Sequence, residues 1–236
     1  MVFLARLNRK AWRVFIKLFA NRVKIPREHL GTAYGGWTIC PYGLNQDTLV
    51  YSFGIGEDIS FDLAVIEKHD VQVFAFDPTP RSIQWLEAQE LPERFKWYGY
   101  GIADYDGVAQ FHPPENPEHI SHTIIDPIKK VGNPIEVHVY RLRTILDDLG
   151  HDRIDVLKMD IEGAEYAVIQ DMVASGIQVK QLLIEFHHNF PQISLRETIN
   201  AVRLLKRAGY RVYNLSGRGY EYSFIHKESL WEISRG

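Results

Sequence analysis

The residues able to do chemistry are concentrated in two short stretches of this chain. In "IDVLKMDIEGAEYAVI", an apolar run delivers Lys158, Asp160 and Glu162 in quick succession, followed by Gly163 and a helical pattern. Ionisable groups at the carboxyl end of a buried strand are costly unless solvated, paired or functional. Glu162 and Glu165 suit the positive N-terminus of the helix that follows, which leaves Lys158 and Asp160 unexplained. In "LLIEFHHN", a strand over Gln181–Phe186 turns Glu185 and His187 to one face and His188 to the other. An imidazole with an ordinary pKa of about 6.5 is the natural group to take a proton from a hydroxyl. His187, Asp160, Glu162 and Lys158 are therefore the candidate catalytic set. Asp160, Glu185 and His187 also offer oxygen and nitrogen ligands to a divalent cation that would acidify a hydroxyl, although a metal is not expected. His112, His119 and His122 lack the cysteines and four-ligand spacing of a zinc site; they border a polar substrate or sit in solvent.

Further residues have the spacing of a cofactor site. "LVYSFGIGEDISF" is an apolar run, a turn with Gly54 and Gly56, and the start of a helical pattern. Glycines there let the backbone turn sharply and approach a ligand, although a plain tight turn explains two glycines equally well. "VFAFDPTP" ends a second apolar run with Asp77, followed by Pro78. An acid at that place accepts both hydroxyl hydrogens of a ribose, in nicotinamide and adenosyl cofactors alike. "WYGYGIAD" brings Gly101, Ile102 and Ala103, small enough to form a flat wall against an adenine ring.

These residues need a frame, and the hydrophobic pattern supplies one. Strands are expected at Thr48–Phe53, Val71–Phe76, Phe95–Tyr100, Ile154–Met159, Gln181–Phe186 and Tyr210–Leu215. Helices are expected at Ile59–Lys68, Pro80–Ala88, Ala164–Ala174 and Leu195–Ala208, with Thr79 as an N-cap before Pro80. Gly176 and Gly209 stand where glycines end helices. Alternation of this kind implies a parallel sheet covered on both faces. Residues 104–143, with Pro113, Pro114 and Pro117, read as a hairpin-rich insertion, and "YRVYNLSGRGYEYSFIHK" as a terminal antiparallel hairpin. The expected organisation is a basic N-terminal helix and connector over 1–47 and one domain over 48–236.

Composition narrows the class. At 236 residues and 45% hydrophobic, the chain is long enough for one sizeable core. A single cysteine, Cys40, rules out an internal disulfide framework and fits a reducing compartment. The formal charge of -3 gives no reason to expect nucleic-acid binding by the bulk of the protein. The basic residues are unevenly spread, however. Residues 1–27 hold Arg6, Arg9, Lys10, Arg13, Lys17, Arg22, Lys24 and Arg27 and no acid, with Leu4, Leu7, Ala11, Val14, Phe15 and Leu18 at helical spacing. Such a helix packs its apolar stripe on the protein or on a second subunit, or lies on an anionic membrane surface.

Taken in order, "YSFGIGEDISF", "VFAFDPTP", "KMDIEGAEY" and "LLIEFHH" resemble the motifs of the FkbM-type methyltransferases, over about residues 48–190. The resemblance implies a Rossmann-like, doubly wound, mostly parallel sheet of the class I methyltransferase kind, with S-adenosylmethionine as cofactor. It implies that Ser52, Gly54, Ile55, Gly56 and Glu57 lie about the methionine part, Asp77 and Pro78 about the ribose, and Gly101 and Ile102 about the adenine. Asp160 and Glu162 would face the sulfonium and the acceptor. The implied reaction is methylation of a hydroxyl on a sugar, glycan, glycolipid or natural product by a cytoplasmic enzyme, with contact to the inner membrane surface or self-association through residues 1–27. Two positions depart from the family pattern. Ser52 stands where an acid is usual and Asp58 where a later glycine is usual, with Glu57 or Asp58 able to supply the charge instead. A non-catalytic binding protein and a nicotinamide-dependent oxidoreductase are the alternatives; the latter lacks the third glycine and a Tyr-x-x-x-Lys pair.

Overall fold

A computed structural model describes residues 22–113, 122–125 and 132–235. The helix expected within residues 1–27 lies outside them up to residue 21, as do Pro114, Pro117 and His119. The described chain opens with a small antiparallel hairpin, β1 (Glu28–Leu30) and β2 (Trp37–Ile39). The main sheet follows. Strands β3 (Leu49–Phe53), β4 (Gln72–Phe76) and β5 (Phe95–Tyr98) form one half. A second, smaller sheet contains β6 (Gly101–Ile102), β7 (Gly107–Phe111) and β8 (Ile135–Tyr140). Strands β9 (Ile154–Met159), β10 (Val179–Glu185), β11 (Tyr210–Leu215) and β12 (Glu221–His226) complete the main sheet, in the order β11-β12-β10-β9-β3-β4-β5. Only β12 runs against its neighbours; β3, β4, β5, β9 and β10 pair in parallel. This is the doubly wound sheet with a terminal antiparallel hairpin that the sequence implies.

The helices are α1 (Ser60–His69), α2 (Pro80–Glu87), α3 (Leu142–Leu149), α4 (Glu165–Ala174), α5 (Leu195–Arg207) and α6 (Lys227–Ile233). Strand alternation sends Tyr51 and Phe53 of β3 to the face covered by α3, α4 and α5, and Val50 to the face covered by α1 and α2. Each large side chain so buried contributes about 1.5–3 kcal/mol. Local chemistry ends the helices where expected. Gly176 and Gly209 follow α4 and α5 with positive φ of 67° and 104°, the conformation glycine adopts without strain. Ser194 and Glu197 close a capping box on α5, worth about 1 kcal/mol.

Four local expectations change. The strand expected over Phe95–Tyr100 ends at Tyr98, and Gly101–Ile102 instead pairs in parallel with β8 of the smaller sheet. Thr79 does sit at the N-cap position of α2, but its hydroxyl donates to Asp77 Oδ1 at 2.6 Å and accepts no N–H from the first turn. Within residues 104–143, β7 and β8 pair antiparallel, and α3 begins at Leu142, a helix the pattern did not reveal. Finally, residues 28–40 are structured on the main body. Gln181 receives the Cys40 N–H at 2.9 Å and donates to the Cys40 carbonyl at 2.8 Å, and Ser223 donates to the Thr38 carbonyl.

Candidate active site

At the carboxyl end of β3 the chain turns through Gly54 and Gly56, both with positive φ. A Cβ on Gly54 would stand 1.7 Å from the Asp160 carbonyl oxygen, so glycine is what lets this turn meet the end of β9. Gly54 N–H donates to the Phe76 carbonyl, and Lys158 Nζ donates to the Gly54 carbonyl at 2.9 Å. Lys158 is 4% exposed, and its ammonium also lies over the Trp37 ring at 5.7 Å. This geometry makes Lys158 a support of the turn rather than a group aimed at a reacting atom.

Asp77 holds the same turn from β4. Its Oδ2 accepts the Gly56 N–H at 2.9 Å, and its Oδ1 accepts the Thr79 N–H and hydroxyl. A carboxylate has about four acceptor positions, so one remains for a ribose hydroxyl rather than the two expected. A stack of rings, Phe53 on Phe76 at 4.3 Å and Phe76 on Tyr98 at 5.3 Å, packs together the ends of β3, β4 and β5, directly before Asp77.

The two departures from the family pattern have separate explanations. Ser52 is fully buried on the α1 face, beside Asp62 and away from the cleft, so its expected place at the cofactor is not where the fold puts it. Its side chain follows Val50 to that face because β3 alternates. Burial pushes the Asp62 carboxyl up, with Lys158 and the Ser52 hydroxyl pulling against it. Asp58 accepts the Thr32 hydroxyl at 2.9 Å and the Ser60 N–H at 2.8 Å, which occupies it with the N-terminal loop. Glu57 pairs with Arg81 at 2.7 Å on the rim.

These parts open on one cleft of about 700 Å³, within the usual range for small-molecule sites. Apart from Ser52, every expected site residue lines it: Gly54, Ile55, Gly56, Glu57, Asp77, Pro78, Gly101, Ile102, Lys158, Asp160, Glu162 and His187. His122 reaches it as well. The remaining walls were not legible in advance. Tyr34–Trp37 close one side because Gly35 and Gly36 let the loop lie against Asp58 and Thr32. Arg218 and Glu221, on the β11–β12 hairpin, close another. The Gly-Gly pair was the available signal for the first; no local signal marks the second, since the hairpin is brought there by strand order.

The acidic end of the cleft is built around His187, which is 5% exposed. Its Nδ1 lies 2.6 Å from Glu165 Oε1, and its Nε2 lies 3.3 Å from Glu162 and 3.6 Å from Asp160. Glu165 is wholly buried and also accepts the Ile161 and Gly163 N–H groups. Burial opposes a charge on His187, but Glu165, Glu162 and Asp160 outweigh it and raise its pKa to about 10. The imidazole is therefore protonated at neutral pH, and the general base with an ordinary pKa expected from sequence does not fit these surroundings. Burial raises the Asp160 carboxyl, and burial together with Asp160 raises Glu185 to about 8. Glu162 adopts a left-handed φ of 51°, held by the Thr123 hydroxyl on its carbonyl. Such strain in a non-glycine residue costs about 1 kcal/mol or more and gathers at functional sites.

Fold and cleft together define a Rossmann-like protein with a cleft at the carboxyl ends of its parallel strands, where such sheets bind their ligands. Residues 42–212 match the family model of the methyltransferase FkbM domain, and the chain belongs to that family. It is similar to the probable methyltransferase-like protein 24 of Homo sapiens, 26% identical over 208 residues, covering 78% of this chain and 49% of the relative. It is also similar to the 2-O-methyltransferase NoeI of Sinorhizobium fredii, 28% identical over 119 residues, covering 44% and 47%. The chain spans about half the length of these curated relatives. Among solved structures, the Methanococcus jannaschii fibrillarin pre-rRNA processing protein superposes with a TM-score of 0.49 at 10% identity, covering 80% of this chain and 70% of that one.

Proposed function

We propose that this protein transfers a methyl group from S-adenosylmethionine to a hydroxyl oxygen of a sugar, glycan, glycolipid or natural-product acceptor. The observation that carries the reading is a single cleft in which the Gly54–Gly56 turn and Asp77 meet the Asp160–Glu162–Glu185–His187 cluster. Membership of the FkbM family supports the methyl transfer, and the name of the Sinorhizobium relative supports oxygen as the nucleophile.

The residues present fit the cofactor. Asp77 keeps an acceptor position for the ribose, Gly101 and Ile102 leave a flat wall for a purine, and the acidic end of the cleft suits a cation. When bound, S-adenosylmethionine supplies a methyl group on a positively charged sulfur. The chain's own part is to orient and to move a proton. The turn held by Lys158 and Asp77 fixes the cofactor side, and Asp160 and Glu162 are the carboxylates placed to receive the acceptor's proton. His187 serves as a fixed positive charge that keeps those carboxylates together. Arg218 and Glu221 provide polar contacts for the acceptor. Residues 1–27, if helical, bring the enzyme to a membrane surface or to a second copy, in a cytoplasmic setting.

The test is incubation with methyl-labelled S-adenosylmethionine and a panel of sugar, glycolipid and polyol acceptors, read by mass spectrometry. Label recovered as a methyl ether supports the reading. Label found only on nitrogen or carbon would replace the oxygen acceptor, and cofactor binding without any transfer would favour a binding protein.

A further inference from the structure

We infer that Asp160, Glu185 and His187 form a binding site for a divalent cation, held at the floor of the cleft where an acceptor hydroxyl would meet it. One oxygen of Asp160, one of Glu185 and one nitrogen of His187 all lie within 4.8 Å of one another. Ligands about 2.1 Å from a common centre stand at most about 4.2 Å apart, so small side-chain adjustments complete the shell. Asp160 directly follows β9, Glu185 ends the neighbouring parallel strand β10, and His187 stands two residues further on, so the sheet itself sets the spacing.

Two further features point to a metal rather than to a merely acidic patch. Metal-binding histidines usually hand their second ring N–H to a carboxylate, which fixes the tautomer and aims the other nitrogen. His187 Nδ1 does this with Glu165 at 2.6 Å, and Glu165 is itself buried and fixed by the Ile161 and Gly163 N–H groups. The aimed nitrogen, Nε2, faces carboxylates at 3.3 and 3.6 Å, and a cation bound there takes the place of the proton that His187 otherwise carries, which leaves to solvent. The second feature is charge. Lys158 donates to the Gly54 carbonyl and reaches Asp160 only through its field, so it and His187 are two positive groups against the four carboxylates of Asp160, Glu162, Glu165 and Glu185. A sulfonium would answer the charge but has no use for an imidazole nitrogen, whereas a divalent metal uses both.

The chemical consequence rests on the proposed methyl transfer. A hydroxyl brought against the cation becomes more acidic. Its O–H bond breaks with the electron pair left on oxygen, and the proton passes to Glu162, the carboxylate outside the ligand set.

The experiment uses the full chain, stripped with a chelator, and titrates it with manganese(II) alone while paramagnetic resonance reads free ion. One saturable site per chain is expected. Asp160→Asn and Glu185→Gln should each weaken it at least tenfold, and Glu165→Gln about 10–100-fold through the imidazole. Circular dichroism melts establish that each variant is folded; should Glu165→Gln unfold, Glu185→Gln decides. Absence of saturable binding, or binding indifferent to Asp160→Asn and Glu185→Gln, overturns the site. S-adenosylmethionine calorimetry in chelator is run separately, so a failed cofactor reading and a failed metal reading give different results.

Discussion

Thr32 donates its hydroxyl hydrogen to Asp58 at 2.9 Å, tying a loop from the N-terminal hairpin to the turn that lines the cleft. Asp58 gives two of its roughly four acceptor positions to Thr32 and Ser60. It also lines the cleft, with Gly35 so near that a Cβ there would stand 2.4 Å from the Asp58 carboxyl carbon. Thr32→Val and Asp58→Asn should each lower S-adenosylmethionine affinity about 3–10-fold, the equivalent of one net hydrogen bond of about 1 kcal/mol. Calorimetry checks this; unchanged affinity in both variants would mean the loop has no part in holding cofactor.

Gly54 and Gly43 provide a matched pair for the close approach. Both have positive φ, 72° and 77°, but a Cβ on Gly43 meets nothing within 4 Å, while one on Gly54 meets the Asp160 carbonyl. Gly43→Ala should cost only the left-handed strain, about 1–2 kcal/mol. Gly54→Ala should cost clearly more and abolish cofactor binding, because β3 and β9 cannot both keep their places. Denaturant unfolding of the two variants makes the comparison.

Gln181 joins the sheet to the N-terminal segment. Gln181→Leu leaves the Cys40 carbonyl without its donor and weakens the bond to its N–H, which keeps only Tyr213 at 3.2 Å. A buried polar group left without a partner costs about 1–3 kcal/mol. The expected loss is about 2–3 kcal/mol, a fall in Tm of roughly 4–10 °C at this chain length. A Tm unchanged within error would show that the segment is not part of the cooperative fold.

How far the sequence could be read follows from the range of the forces involved. Strands Ile154–Met159 and Tyr210–Leu215 were legible to the residue, the first as a fully buried strand and the second as an aromatic and β-branched run that starts directly after Gly209. The cleft residues from Gly54 to His187 were legible because they stand at strand ends, where chain order and spatial order agree. Ser52 was misplaced because motif position outweighed the alternation of β3. The protonated state of His187 depends on Glu165, a residue that sequence reading assigned only to a helix terminus. Arg218 and Glu221 reach the cleft through tertiary pairing, and nothing in their neighbours along the chain announces it.

His151 offers a pH test away from the cleft. Its Nδ1 lies 2.7 Å from the Tyr51 hydroxyl, and burial, with Lys96 and Arg153 nearby, lowers its pKa. The unfolded state takes up a proton near pH 6.5, before the folded state does. This contribution to stability is thus complete above about pH 6.5 and is lost as pH falls toward the lower folded value. His151→Asn should be less stable than the parent at pH 8, with the difference shrinking toward pH 5. A difference that grows in acid would reverse the sign assigned to this histidine.

The central claim is a cofactor site for S-adenosylmethionine in the cleft between Gly54, Asp77 and Asp160. Calorimetry of the full chain against S-adenosylmethionine, S-adenosylhomocysteine and NAD tests it most directly, with Asp77→Ala alongside. The account predicts one site per chain for both adenosyl compounds, weakened at least tenfold in Asp77→Ala, and no heat with NAD. Binding of NAD alone, or of none of the three, would contradict it.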